Sequence, residues 1–132
     1  MIPSDFRDIL LTHKQREIEL IRSSNKVIFE DTDCLITKFF IDFLGDKENE
    51  RNSALAEAIS LFNEYDLVLF CEADVKFVQD GDRSPIIAAE REKYSNLIRE
   101  IYVSHGYYPI SLSGNYTERY EKAVKLVEDM LR

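Results

Sequence analysis

The chain carries the stretch Val27-Ile28-Phe29-Glu30-Asp31-Thr32-Asp33, an apolar run that ends in two carboxylates one residue apart. A helical pattern of apolar residues follows at positions 35–41. In α/β folds, ligands and metals gather where parallel strands end at the carboxyl edge of the sheet. Carboxylates at that edge hold Mg²⁺ through oxygen ligands or take a proton from an attacking hydroxyl. The stretch therefore predicts a strand, a following helix and, between them, a place suited to phosphate chemistry.

The composition is that of one globular domain. The chain has 132 residues, of which 45% are hydrophobic and 32% charged, enough for one modest core. Its net charge of -8 argues against nonspecific binding to nucleic acid or to an anionic membrane. No apolar run has membrane-spanning length and no basic segment opens a signal peptide, so we predict a cytoplasmic protein. Cys34 and Cys71 both lie in apolar stretches and are expected to be buried free thiols.

Helical and strand patterns alternate along the chain. This order predicts βαβ units and a mainly parallel α/β sheet of three strands within a single domain, residues 1–132. The first half is predicted to contain a helix to about Ser23, strand 26–31, a helix through Leu44 that Asp33 caps and Gly45 ends, and a charged loop at 46–52. The second half is predicted to contain a helix from Ser53, strand Leu67–Cys71, a loop or short helix at 73–85, helix 87–104, strand 108–112 and a last helix that Asn115 and Glu118 cap.

Two readings of Asp31 and Asp33 stay open. In one, the pair faces a ligand, and Glu72 at the end of the second strand joins it, because three acids on two strand ends favour a cation between them. In the other, one aspartate caps the helix and its neighbour is a solvated acid.

A second constellation lies in the segment 79–85, which includes Asp80, Gly81, Arg83 and Pro85. Glycine and proline make it irregular, and the forked, permanently charged guanidinium of Arg83 suits a phosphate. A mobile arginine loop over a nucleotide stabilises charge during phosphoryl transfer. The alternative is a surface turn in which Arg83 pairs with a neighbouring aspartate.

These pieces, taken in this order, resemble the ribosylnicotinamide kinase domain of NadR-type bacterial proteins, a P-loop kinase. The similar motifs are Asp31-Thr32-Asp33 after a strand, Glu72 after the next strand and Asp80-Gly81-Asp82-Arg83-Ser84, and the resemblance runs from about Asp5 to Arg132. It implies a three-layer, P-loop-kinase-like parallel sheet. It also implies transfer of the γ-phosphate of ATP, with Mg²⁺, to the 5′-hydroxyl of nicotinamide riboside, which gives nicotinamide mononucleotide.

The resemblance also implies roles for individual residues. Asp31 or Asp33 takes the hydroxyl proton or holds Mg²⁺, and which does which is open. Arg83 is the lid arginine, and Asp80 and Gly81 shape the lid. Two further positions belong to the substrate and lid side: Glu72 and Arg91.

The chain departs from that family in its phosphate-binding loop. With glycines only at positions 45, 81, 106 and 114, no G-x-x-x-x-G-K-[ST] loop can be assembled. We therefore expect the C-terminal portion of a nucleoside-kinase-like fold, truncated before its first strand and loop and inactive alone. The missing strand would leave a sheet edge exposed, which predicts self-association.

Two other functions compete with a kinase. The first is a non-catalytic chain that binds a nucleoside or associates with itself. The second is a Mg²⁺-dependent phosphatase, because Asp31-Thr32-Asp33 is superficially similar to the D-x-D-G-T motif of haloacid-dehalogenase-type enzymes. Cys34 stands where that motif has glycine, and no later Asp-Asp pair follows the third strand.

Overall fold

The computed structural model describes residues 3–45, 47–73 and 90–132. The chain divides into two compact units, Met1–Glu64 and Tyr65–Arg132. The single domain expected from the chain length stays a prediction.

The first unit is built from helices. They are α1 (Pro3–Ser23), α2 (Cys34–Leu44) and α3 (Glu50–Ser60), with a 3₁₀ turn at Lys47–Asn49. Apolar side chains at helical spacing from all three helices form its core. Its buried members are Phe6, Leu10, Cys34, Leu35, Phe39, Ile41, Ala56 and Ile59. Leu10, Leu35 and Ile41 are the most deeply buried of the large ones, and each such side chain contributes about 1.5–3 kcal/mol.

Local chemistry sets both ends of α2. At its start, the Asp33 side chain accepts hydrogen bonds from two backbone N–H groups of the first turn. At its end, Gly45 takes the left-handed conformation, with φ of 65°, which glycine adopts without steric cost. Both predicted ends of this helix are confirmed.

The strand predicted at 26–31 is wrong. Residues 27–30 are neither helix nor strand, and the first unit contains no strand among its described residues. An apolar run becomes a strand only when a neighbouring strand satisfies its backbone groups, and within its unit this run has none. Val27 and Ile28 are half-buried, whereas the Phe29 side chain is 71% exposed.

The charged loop predicted at 46–52 is also shorter than expected. Lys47–Asn49 forms a 3₁₀ turn, and α3 begins at Glu50 rather than Ser53. Two features favour the earlier start. Glu50 places a negative charge in the first turn of the helix, and buried Asn52 donates from Nδ2 to Asn49 Oδ1 at 3.1 Å.

The second unit contains a small parallel sheet and two helices. Its elements are β1 (Leu69–Cys71), α4 (Arg91–Ser104), β2 (Ile110–Leu112) and α5 (Tyr116–Leu131). The strands pair in parallel, with Phe70 opposite Ser111. Asn115 and Glu118 form the predicted capping box of α5. The predicted parallel pairing is confirmed.

The sheet is smaller than expected. Three strands were predicted, and the described residues contain two, each of three residues. Flanking hydrogen bonds extend the pairing by one residue at each end, from Ile110 N to Val68 O and from Glu72 N to Leu112 O, both at 2.9 Å. Residues 74–85 of the loop or short helix predicted at 73–85, and the first residues of helix 87–104, lie outside the described residues. Among the described helices, none has the length and apolar character needed to cross a membrane.

Candidate functional site

The carboxylate of Asp33 is used to begin a helix. Its Oδ1 accepts hydrogen bonds from Leu35 N at 2.9 Å and from Ile36 N at 3.2 Å, and the residue is only 5% exposed. The backbone carbonyl of Asp33 accepts from both the N–H and the hydroxyl of Thr37. Of the two readings of the acidic pair, this geometry supports the helix cap for Asp33.

Asp31 lies in different surroundings. It is exposed to solvent, and Thr32 between the two aspartates has a positive φ of 64°. That conformation is a true outlier for a β-branched residue, and it costs on the order of 1 kcal/mol or more. The backbone between the two acids is thus strained, with one acid buried as a cap and the other in water.

The acidic turn offers Mg²⁺ carboxylate oxygens as ligands. Mg²⁺ is usually held by one or two carboxylates together with substrate phosphates and water. Asp31 fits as one such ligand, whereas Asp33 already binds two amides through one oxygen. In the described ranges, no group of three or more His, Cys, Asp or Glu side chains is placed to hold a metal. Asp31 is therefore the better candidate for a metal ligand or a base.

A buried polar network lies beside this turn. Lys14 Nζ donates to Glu17 Oε1 at 2.6 Å and to Asn63 Oδ1 at 2.8 Å. The Asn63 amide in turn donates to Cys34 Sγ at 3.3 Å. Burial, together with the negative charge of Asp33, raises the pKa of the Cys34 thiol to about 11. Cys34 is therefore a protonated, structural thiol, as its apolar sequence context predicted.

In the second unit, Glu72 sits at the carboxyl end of β1 as predicted. Its Oε1 accepts from Arg99 Nη1 at 2.8 Å and from Ser111 Oγ at 2.5 Å. Arg99 Nη1 also donates to Ser111 Oγ at 2.8 Å, and its Nη2 donates to Pro109 O at 3.2 Å. The Arg99 guanidinium lies over the Phe70 ring, 5.2 Å from the centroid. Helix, strand and strand end thus share one polar cluster.

Two more arginines donate hydrogen bonds to backbone carbonyls just after the two strands. Arg119, only 9% exposed, donates from Nε to Gly114 O at 2.9 Å and from Nη2 to Glu72 O at 2.8 Å. It therefore joins the carbonyls that follow both strands. Arg91 Nη2 donates to Ala73 O at 3.2 Å. Arg91, predicted from sequence to lie on the substrate and lid side, is at least partly engaged with the backbone.

The structure describes four of the seven predicted site residues, two in each unit. Asp31 and Asp33 are in the first unit, Glu72 and Arg91 are in the second, and three others lie outside the described residues. These three are Asp80, Gly81 and Arg83.

Sequence reasoning missed Arg99, Ser111 and Arg119. Ser111 did leave a signal, because it is a polar residue in the middle of an otherwise apolar strand pattern at 108–112. The two arginines left no such signal, because a long charged side chain on an amphipathic helix is expected to face solvent unless its partner is known. Cys71, predicted to be buried, is exposed instead, since it is the last residue of a short strand.

Comparison with known proteins gives a family and two relatives. The model of a family described as an AAA domain matches residues 2–119. The trifunctional NAD biosynthesis/regulator protein NadR of Salmonella typhimurium is 29% identical over 129 residues, which make up 97% of this chain and 30% of that protein. NadR of Escherichia coli K12 matches with the same identity and coverage. The chain thus spans about 30% of the length of these relatives. No solved structure matches significantly.

Proposed function

The chain belongs to the AAA domain family, and we propose that it is the acceptor side of a NadR-like nucleoside kinase that takes nicotinamide riboside. The observation that carries this proposal is the similarity to NadR over 97% of the chain. The relative's name describes a protein of NAD biosynthesis, and the order of acidic and arginine motifs along this chain resembles its kinase domain.

Asp31 is the residue proposed to act on the acceptor hydroxyl. A base must reach the proton that it removes, and Asp31 is exposed whereas Asp33 is buried as a helix cap. Asp31 would accept the proton of the 5′-hydroxyl or bind Mg²⁺ as one ligand, and Asp33 would fix the turn that carries it. Arg83, Asp80 and Gly81 keep their proposed place in the lid.

The sequence supports binding of ATP less well than binding of the nucleoside. The 132 residues contain no G-x-x-x-x-G-K-[ST] sequence, whose amides and lysine cradle the phosphates in P-loop enzymes. No step of phosphoryl transfer is therefore assigned to these residues. The proposal gives the chain nucleoside binding and an acceptor base, and it predicts no turnover by the chain alone.

Calorimetry tests this proposal. We expect the chain to bind nicotinamide riboside and to bind ATP–Mg²⁺ weakly or not at all. Asp31→Asn should weaken riboside binding several-fold, because it removes a charged hydrogen-bond acceptor. Asp8→Asn, at an exposed position on α1, is the matched control and should bind like the wild type.

Other results would redirect the assignment. A chain that binds no riboside would overturn the proposed substrate. Tight binding of ATP–Mg²⁺, or phosphorylation of the riboside by the chain alone, would contradict the role given to the absent loop. Metal-dependent hydrolysis of a simple phosphate ester would instead favour the phosphatase.

A further inference from the structure

One side chain of α1 is linked to the residue that precedes the acidic turn, residues 31–33. Lys14 Nζ donates to Glu17 Oε1 at 2.6 Å, and the Glu17 side chain is hydrogen-bonded to that of Glu30. Two carboxyl groups this close repel each other when both are ionised, and a neighbouring cation offsets that repulsion. The Lys14 ammonium therefore stabilises the contact of Glu30 with α1.

The same ammonium group is linked to the residue that follows the turn. Lys14 Nζ also donates to Asn63 Oδ1 at 2.8 Å, and Asn63 Nδ2 donates to Cys34 Sγ at 3.3 Å. The Lys14 side chain is 18% exposed, and Glu17 and Asn63 are buried, so little water competes for these hydrogen bonds. Lys14 is thus the branch point of two hydrogen-bond chains that end on either side of the turn.

The backbone between these two ends needs such support. Thr32 has a φ of 64°, and a strained conformation of this kind persists only when the surrounding structure fixes it. The Asp33 cap acts on the helix that follows, whereas the Lys14 network acts on both neighbours of the turn and comes from a different helix. Release of either end would allow Thr32 to relax to a negative φ, which would reorient the backbone that carries Asp31.

We propose that Lys14 is a positioning residue for Asp31: it holds both ends of the acidic turn and so keeps Thr32 in the left-handed conformation. It fixes the backbone, and the exposed Asp31 carboxylate stays accessible to a ligand. A turn fixed before the ligand arrives binds without the entropy cost of ordering a mobile segment. The importance of Asp31 for binding rests on the proposed function, whereas the effect of Lys14 on the turn does not.

Nuclear magnetic resonance measures the turn directly, because the backbone scalar couplings of Thr32 report its φ. Lys14→Met keeps a long unbranched side chain but removes the charge and the donor, so we expect it to lose the positive φ. Arg16→Met removes a charge from an exposed position on the same helix. It is the matched control and should retain the positive φ.

Two further variants separate the turn from overall folding, which far-UV circular dichroism checks in each case. Asn63→Leu cuts the link to Cys34 while Lys14 stays paired with Glu17, so no buried charge loses its partner. It should also lose the positive φ. The double variant Lys14→Met/Glu17→Gln removes both charges and gives Glu30 an amide donor, so it should regain the positive φ.

Calorimetry with nicotinamide riboside then connects the turn to the site. Lys14→Met should bind the riboside several-fold more weakly than the wild type, because the freed turn must be ordered on binding. In an Asp31→Asn background, Lys14→Met should cause little further loss, since it acts through Asp31. A merely structural role for Lys14 would lower the affinity by the same factor in both backgrounds.

The outcomes distinguish the two proposals. A positive φ at Thr32 that survives in folded Lys14→Met or Asn63→Leu, or that the double variant does not regain, overturns the positioning role whether or not the riboside binds. The expected changes in φ, together with no riboside binding by the wild type, support the hold of Lys14 on the turn and overturn the proposed substrate. An affinity loss that is absent, or equal in both Asp31 backgrounds, overturns the link from Lys14 to Asp31 alone.

Discussion

The two units hold their candidate site acids in opposite ways. Asp31 of the first unit is exposed, follows no strand and makes no hydrogen bond with the described residues. Glu72 of the second unit is fixed by a strand, a serine and two arginines. A free carboxylate reaches a proton or a metal, whereas a fixed one recognises a donor in a defined direction. Two acids with the same sequence signature can therefore suit different chemistry.

The units also differ in what stabilises them. Aliphatic and aromatic side chains from three helices fill the core of the first unit. In the second unit, the buried set among the described residues is small, and a buried arginine, Arg119, holds both strand ends. Substitutions should therefore act mainly through lost hydrogen bonds in the second unit and through lost packing or caps in the first.

The largest expected contrast is in the reactivity of the two cysteine thiols, one in each unit. Cys34 is buried, and its thiol pKa is raised to about 11, so little reactive thiolate is present at pH 8. Cys71 is exposed. We expect the Cys71 thiol to react with Ellman's reagent at least about 100-fold faster than the Cys34 thiol. Cys71→Ser should abolish the fast phase, and urea should release the slow one. A fast phase that persists in Cys71→Ser would show that Cys34 is accessible.

The next largest effect is expected for Arg119→Ala, which leaves two carbonyl groups without their buried donor. We expect a loss of about 2 kcal/mol in the free energy of unfolding of the second unit. Lys125→Ala, at an exposed position on the same helix, should cost less than about 0.5 kcal/mol.

Tyrosine fluorescence makes this measurement specific. All 7 tyrosines lie after residue 64 and the chain has no tryptophan, so this signal in urea reports on the second unit. Equal stabilities of the two variants would mean that the hydrogen bonds of Arg119 do not stabilise the second unit.

The parts of the fold that sequence predicted are those set by local chemistry. A cap needs only a side chain and the backbone two or three residues on, so Asp33 and the pair Asn115 and Glu118 were identifiable. Gly45 ended its helix for the same reason. The parallel pairing of β1 with β2 followed from the helical crossover between two apolar runs.

The parts that sequence missed depend on partners distant in the chain. The run 27–30 has the composition of a strand but no strand partner in its unit, and composition does not reveal a partner. Ser111 and Glu72 are 39 residues apart, and Arg99 reaches both from a helix. Such a cluster is defined by the packed structure, so the sequence identified Glu72 but neither Arg99 nor Ser111.

A smaller effect separates the two aspartates. Asp33→Ala removes the cap of α2 and should cost about 1 kcal/mol, whereas Asp31→Ala should lie within about 0.5 kcal/mol of the wild type because Asp31 is exposed. Asp33→Asn should retain most of the stability, since asparagine caps as well. Urea unfolding followed by far-UV circular dichroism measures all three. A larger loss in Asp31→Ala than in Asp33→Ala would reverse the assignment of cap and site.

The smallest effect concerns buried Glu17 and its dependence on pH. Burial raises the pKa of Glu17, but its hydrogen bonds with Glu30 and Lys14 and the charge of Lys14 outweigh burial, so the net pKa lies below the ordinary 4.5. A carboxyl group whose pKa is lowered by folding stabilises the protein above its unfolded pKa, and this contribution disappears as the pH falls through the folded value.

Glu17→Gln should therefore be less stable than the wild type at pH 7, by about 0.5 kcal/mol as expected for a helical ion pair at this spacing. The difference should shrink below pH 4.5, because protonation removes the same charge from the wild type. Glu64→Gln, an exposed control in the same unit, should show no such dependence. A stability difference that grows on acidification would mean that burial, not Lys14, controls the pKa of Glu17. The polar network beside Asp33 would then not depend on the charge of Glu17.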